Sequence, residues 1–379
     1  TSVSQLVEQI GRIVFLLAGS FLVVVVFNGN PTTALNLSVF AAFIGAIVGL
    51  LVLYSFWKRL KPSIRDVQAQ GIISEQMPYS VMYKEILQYS VPIVFVGLAP
   101  TLFQLVDMLT FNRAMISIGL AAVTDDYFTM INFLTHKIVI IPVMLATGFS
   151  MAIIPTVTEY YTKGNKNAVR TSIDKIYQVL LFITVPAALG ITVLAKELYH
   201  LLYEQSAMGA EVLAHYAPVA ILFAMFTVTA ALLQGINKQK FLVLSLLIGL
   251  LLKTVLNVPL IRVFEADGAI LATAIGYLFT IGMNIIIINK TMDYSSKIVK
   301  RRILLILILS AIMVGFVLLV KQGLYAIAPA DTKLLALLYS LICAGVGGAF
   351  YAFVSFKLGL AQKLLGDRVT RIAAKFGLK

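Results

Sequence analysis

The chain has 379 residues, 60% of them hydrophobic and 12% charged, with a mean hydropathy of +0.95. Soluble globular domains do not reach that balance, so a cytosolic protein is excluded. A net charge of +13 would suggest nucleic acid in a polar chain, but here most basic residues lie in short connections between apolar runs and read as topology signals.

Ten runs are long enough to cross a hydrocarbon layer about 30 Å thick: residues 4–27, 33–57, 85–112, 125–155, 173–194, 211–236, 241–263, 267–289, 303–320 and 334–356. Helices are expected throughout, because hydrocarbon offers no partners to an open backbone and the runs are too uniformly apolar for barrel strands. The expected fold class is therefore an all-α integral membrane protein of about ten transmembrane helices. Of the 30 Lys and Arg residues, 22 fall in connections after the even-numbered runs and 5 (Arg113, Lys196, Arg262, Lys321, Lys333) in the others. That asymmetry puts the first set, and both ends of the chain, on the cytoplasmic side. Three basic residues, Arg12, Lys137 and Lys253, fall inside spans.

Along the chain, Thr1 is followed almost at once by an apolar helix with no signal-peptide pattern, which reads as a fragment of a longer protein. In the first run Glu8 precedes Arg12 by one turn, a spacing that lets the two neutralise each other. Residues 61–83, with Pro62, Gly71 and Pro78, read as a polar linker between a two-helix group and an eight-helix group. In the third run Asp107 stands six residues before Arg113; it is expected to pair with a base, or else to bind a coupling cation. At the start of the fourth, Asp125 and Asp126 follow Thr124, where carboxylates cap free amides. Lys137 follows deep in the same run, beside His136 and five residues before Pro142.

A Lys or Arg at mid-bilayer costs roughly 2.5 to 3.5 kcal/mol on the insertion scale, so it must face water, a carboxylate or an anionic substrate. Lys137 lies too deep to snorkel and is expected to face a cavity that takes an anion. Lys253, one turn from Asn257, is placed to snorkel outward or to line the same cavity. Prolines at 92, 100, 142, 186, 218 and 259 interrupt the spans, as in transporters whose helices hinge around a midplane site. His200 and His215 form no zinc pattern, Cys343 lies alone in an apolar run, and Gly345, Gly347 and Gly348 form no phosphate loop. No metal and no cofactor is implied. The tail over 357–379 alternates Leu360, Leu364, Leu365, Val369, Ile372 and Phe376 with Lys363, Arg368, Arg371 and Lys375, the pattern of an interfacial helix on anionic lipid.

Several stretches resemble a known family: SVPIVFVGLAPTLFQLVDMLTF in the third run, IPVMLATGFSMAIIPTVTEYYTKGN at the end of the fourth, LLQGINKQK, KTVLNVPLI and GAILATAIGY further on. They are similar to the polysaccharide-export and MurJ-like flippases of the multidrug/oligosaccharidyl-lipid/polysaccharide superfamily, and the opening SVSQLVEQIGRI looks like the fifth helix of its Gram-positive YtgP-like members. The resemblance covers nearly the whole chain. It implies fourteen helices in two six-helix lobes around a central cavity plus two extra helices, with the first four absent here. Residues 1–57 would then close the first lobe, 58–84 form a cytoplasmic linker, 85–290 the second lobe, 291–356 the additional pair and 357–379 the tail. The family's eighth helix carries an arginine five residues before a proline; here Lys137 takes that place, keeping the charge but not the two-pronged geometry.

The resemblance implies a transporter and not an enzyme: a flippase for an undecaprenyl-pyrophosphate-linked sugar, foremost the peptidoglycan precursor lipid II. Lys137 would contact pyrophosphate, with Arg12, Lys253 and Arg113 as further basic contacts. The expected partners are the lipid-linked oligosaccharide, membrane lipids and the first helices of the same polypeptide, in a monomer in the bacterial cell membrane. Alternatives are a flippase for another polysaccharide or teichoic precursor, a MATE-like cation-coupled exporter using Asp107 or Glu8, and a membrane glycosyltransferase using Asp125 and Asp126 with a metal.

Overall fold

A computed structural model describes residues 2–70, 78–152, 154–294, 297–360 and 362, all helix, turn or loop with no strand among them. The protein is a multi-pass, all-helical membrane protein. Among the described residues, eight helices are long and apolar enough to cross a membrane, or nine if a bent pair counts as one span. The chain divides into two compact units, Thr1–Tyr79 and Ser80–Lys379.

The first unit is the pair α1 (Ser2–Phe21) and α2 (Pro31–Gln70). Gly45 and Gly49 cut a notch in α2 that lets the two backbones close up, the small-xxx-small device of membrane helices. A methyl on Gly45 would lie 3.1 Å from the Glu8 carbonyl and from Arg12 Cβ. Ser4 Oγ donates to the Gly49 carbonyl at 3.0 Å across the same seam. The helix α2 runs on through Pro62 to Gln70, past the point where the sequence suggested a linker, because a single proline removes one hydrogen bond and the flanking Lys, Arg, Leu and Gln residues favour helix. Of that linker, residues 71–77 lie outside the described residues, and of the tail expected over 357–379, residues 361 and 363–379 do.

The second unit begins with α3 (Tyr79–Gly97) and α4 (Ala99–Ser117), bent by 52° around Leu98 just before Pro100. Next, α5 (Thr124–Thr129), a π-helical turn over Met130–Leu134 and α6 (Thr135–Met151) make one rod, followed by the short α7 (Ile154–Thr162). Then come α8 (Lys166–Val193), α9 (Ala195–Leu202), α10 (Ala207–Tyr216) and α11 (Val219–Gly235). The break between α10 and α11 falls at Pro218, as its missing N–H requires.

The element α12 (Gln239–Met292) has 54 residues, which would be roughly 80 Å of straight helix. It is instead two spans, because Glu265 leaves the helical region with φ 53° and ψ −132°. The arms over 239–264 and 266–292 lie antiparallel. Ser245 bonds Asn284 at 2.7 Å and Lys253 bonds Thr273 at 2.7 Å. Glycine makes the approach possible: a methyl on Gly249 would lie 2.0 Å from Thr280 Oγ1, and one on Gly268 would lie 2.3 Å from the Leu260 carbonyl. Counting this hairpin as two spans and α3 with α4 as one gives ten among the described residues.

Last come α13 (Lys297–Ile327) and α14 (Lys333–Lys357). They are tied to α8 and α9 by a bond between Arg302 and Gln178, by Lys321 on Glu197 at 2.9 Å, and by Tyr351 donating to the Phe182 carbonyl. The core of the unit is built from α4, α6, α8, α11 and α12, with Phe111, Ile173, Leu180, Leu232 and Tyr277 almost fully buried.

Candidate functional site

Each of the three basic residues inside spans has a different environment. Arg12 is exposed on α1, and Glu8, one turn earlier, is half-buried. They do not pair as their spacing suggested: the ion pairs among the described residues do not include them. The Glu8 side chain instead lies across the notch of α2, with Oε2 3.3 Å from where a Gly49 methyl would stand.

Lys253 is fully buried and its ammonium turns inward. It donates to Asp107 Oδ1 at 2.7 Å, Thr273 Oγ1 at 2.7 Å and the Ala269 carbonyl at 3.1 Å. Asn257 Nδ2, one turn on, donates to the same carboxylate oxygen at 3.0 Å and to Thr110 at 2.7 Å. One sequence expectation changes here, and the expected pairing of Asp107 with a base finds its partner. Lys253 does not snorkel, because α4 and the second arm of α12 surround it with acceptors. Asp107 pairs with Lys253 and not with Arg113, which is exposed near the end of α4. Six residues turn a helix through about 600°, leaving the two side chains on different faces.

Lys137, like Arg12, is exposed. It stands roughly 20 Å along the axis from either end of the rod made by α5, the π-turn and α6, and no acidic group among the described residues lies within ion-pair distance. Its neighbour His136 points the other way, shares a 3.0 Å hydrogen bond with Tyr216, and lines a cavity of about 290 Å³ with Pro100, Phe223, Gln234 and Tyr277. Ile138 and Ile141, the residue after Lys137 and the one a turn on, belong to a different wall. With Phe182, Pro186, Met313 and Cys343 they line an apolar cavity of about 550 Å³ between α6, α8, α9, α13 and α14. A free cation at mid-span thus adjoins a large apolar recess.

The remaining candidates are structural in their contacts. Asp125 and Asp126 lie in the first turn of α5 as expected, but no side chain caps it; Asp125 accepts from Asn112 at 3.2 Å. No group of three metal-ligating side chains occurs among the described residues. His200 is buried, with Nδ1 3.3 Å from the Ala330 carbonyl, and His215 meets Asp267 at 2.9 Å. Sequence reasoning missed Thr273 and Ala269, and also Gln104, whose Nε2 donates to the Asn132 carbonyl at 3.3 Å. The first two reach Lys253 only through the hairpin, so no local signal marks them, whereas the Lys253 and Asn257 spacing of one turn did mark their own face.

Comparison with known proteins bears on this arrangement. A family model described as MatE matches residues 92–259. Over 374 residues the chain is 44% identical to the lipid II flippase MurJ of Bacillus subtilis (strain 168), covering 97% of this chain and 69% of that protein. It is 26% identical over 362 residues to the uncharacterized membrane protein YabM of the same organism, covering 95% of this chain and 66% of that protein. Among solved structures, a lipid II flippase MurJ in an inward closed conformation superposes with a TM-score of 0.58 at 16% identity, over 94% of this chain and 67% of that one. That last likeness is one of fold. On the identity sustained along nearly its whole length, the chain belongs to the MurJ flippase family.

Proposed function

We propose that the protein carries lipid II, an undecaprenyl-pyrophosphate-linked sugar, from the inner to the outer leaflet by alternating access. The observation that carries this is the 44% identity to the Bacillus subtilis lipid II flippase across 97% of the chain. The local geometry suits such a cargo. Lys137 presents an unpaired ammonium at mid-span for the pyrophosphate, and the apolar recess beside it, bounded by α13 and α14, suits the polyprenyl tail. Arg12 and Arg113, both exposed, are secondary contacts along the path, the latter near the exit. In this reading residues 85–290 are the second lobe, 291–356 an accessory pair, and both ends of the chain lie in the cytoplasm, the side favoured by 22 basic residues against 5. The protein works as a monomer among membrane lipids.

The charge of the cargo supplies a driving force. A potential negative inside favours outward movement of an anion by roughly 2.3 kcal/mol per charge per 100 mV, so two phosphate charges gain about 4 to 5 kcal/mol. A cation-coupled exporter is the second reading. Against it, Asp107 already holds the Lys253 ammonium at 2.7 Å, in the place a coupling ion would need. The decisive experiment expresses full-length protein, wild type or Lys137→Ala, in a strain depleted of its own lipid II flippase. Wild type restores growth and the variant does not; growth with both removes Lys137 from the mechanism, and growth with neither removes lipid II as the cargo.

A further inference from the structure

The rod that carries Lys137 is not a uniform α-helix. Between α5 and α6, residues Met130–Leu134 form a π-turn, closed by the Thr135 N–H on the Met130 carbonyl. A π-turn adds one residue to the helix and interrupts its regular backbone ladder. Here two side chains brace it. Thr135, fully buried, donates its hydroxyl to the Met130 carbonyl at 2.8 Å, and Gln104 of α4 donates Nε2 to the Asn132 carbonyl at 3.3 Å.

The extra residue fixes where Lys137 points. Removing it would turn α6 relative to α5 by about 100°, one residue's worth of helix. Lys137 would then take the direction of Ile138, which is 3% exposed in the wall of the apolar recess, and His136 would take the exposed direction. Burying an unpaired ammonium there is strongly unfavourable.

We infer that Gln104 and Thr135 are positioning residues: by holding the π-turn they present the Lys137 ammonium on the exposed face. This rests on the proposed role of Lys137, but its test reads geometry and needs no transport. In full-length protein with Cys343→Ala and every cysteine outside residues 1–379 also replaced by Ala, single cysteines replace Lys137 or His136 in turn. Their modification rates by a membrane-impermeant methanethiosulfonate reagent are measured in proteoliposomes, with and without Gln104→Leu plus Thr135→Val. The ratio of the rate at 137 to the rate at 136 falls about tenfold or more as one position becomes buried and the other exposed, and Thr135→Ser, which keeps the hydroxyl, leaves it at the starting value. A ratio that holds in the double variant, whether both rates rise, fall or stay, overturns the inference.

Discussion

Lys137 and Lys253 are the same residue type, both inside apolar spans of the same unit, yet their surroundings differ completely. Around Lys253, α4 contributes a carboxylate and the second arm of α12 a hydroxyl and a carbonyl, all within 3.1 Å of an ammonium that is fully buried. Around Lys137 the helix surface is open and no carboxylate among the described residues approaches. The first arrangement meets the cost of a buried charge inside the fold; the second leaves it to be met by water or by an anionic ligand. An intramembrane lysine therefore says that something must compensate it, and the neighbouring helices decide what.

The largest expected effect comes from unbalancing the paired region. Lys253→Ala leaves Asp107 buried without its cation and destabilises the protein by about 3 to 5 kcal/mol, whereas Asp107→Leu with Lys253→Met recovers most of that loss. The midpoint of thermal unfolding, followed by a thiol-reactive dye on the single, buried cysteine Cys343, separates these outcomes; equal losses in single and double variants would mean the pair contributes through shape alone.

Exchanging the cation sharpens the contrast next. Lys137→Arg keeps the charge on an open face and retains flipping within about threefold, while Lys253→Arg forces a larger planar group into a closed cage and lowers stability by roughly 1 to 3 kcal/mol. The readouts are lipid II externalisation in cells and the same dye midpoint. If Arg is tolerated better at 253 than at 137, the assignment of the two sites is reversed.

A smaller expectation concerns ions. With the Lys253 ammonium on the oxygens of Asp107, Thr273 and Ala269, replacing sodium by choline leaves flipping in proteoliposomes unchanged to within about twofold; a steep dependence on sodium would restore the cation-coupled reading.

The smallest effect is expected at the surface pair. On α7, a hydrogen bond from Lys163 and then its charge hold the Glu159 carboxyl below its ordinary value, and Glu159 holds the Lys163 ammonium above its own. A depressed carboxylate contributes stability above its ordinary pKa and loses it as pH falls through the lowered value. Because both groups are fully exposed, screening erases nearly all of it, and Glu159→Gln leaves the unfolding midpoint unchanged between neutral pH and about pH 3.

Much of the site was legible before any coordinates. Lys137 stands out because a long apolar run with one deep cation is costly, and Lys253 stands out for the same reason. What could not be read was which of them is free. Asp107 lies 146 positions before Lys253, and its nearest basic residue in sequence, Arg113, faces elsewhere. Glu8 and Arg12 had the spacing of a pair, but the glycine notch of α2 drew the Glu8 side chain aside.

The amino-acid sequence by itself determined the membrane class, the helical spans and the positions of the costly charges, because hydrocarbon imposes length and apolarity one segment at a time. Tertiary structure alone decided that Lys253 is paired and Lys137 exposed, that Glu265 folds one long helical stretch into a hairpin, and that a π-turn sets the direction of α6. Those outcomes depend on side chains far apart in the chain meeting across helix contacts, and on a one-residue change of helical register, neither of which leaves a local signature.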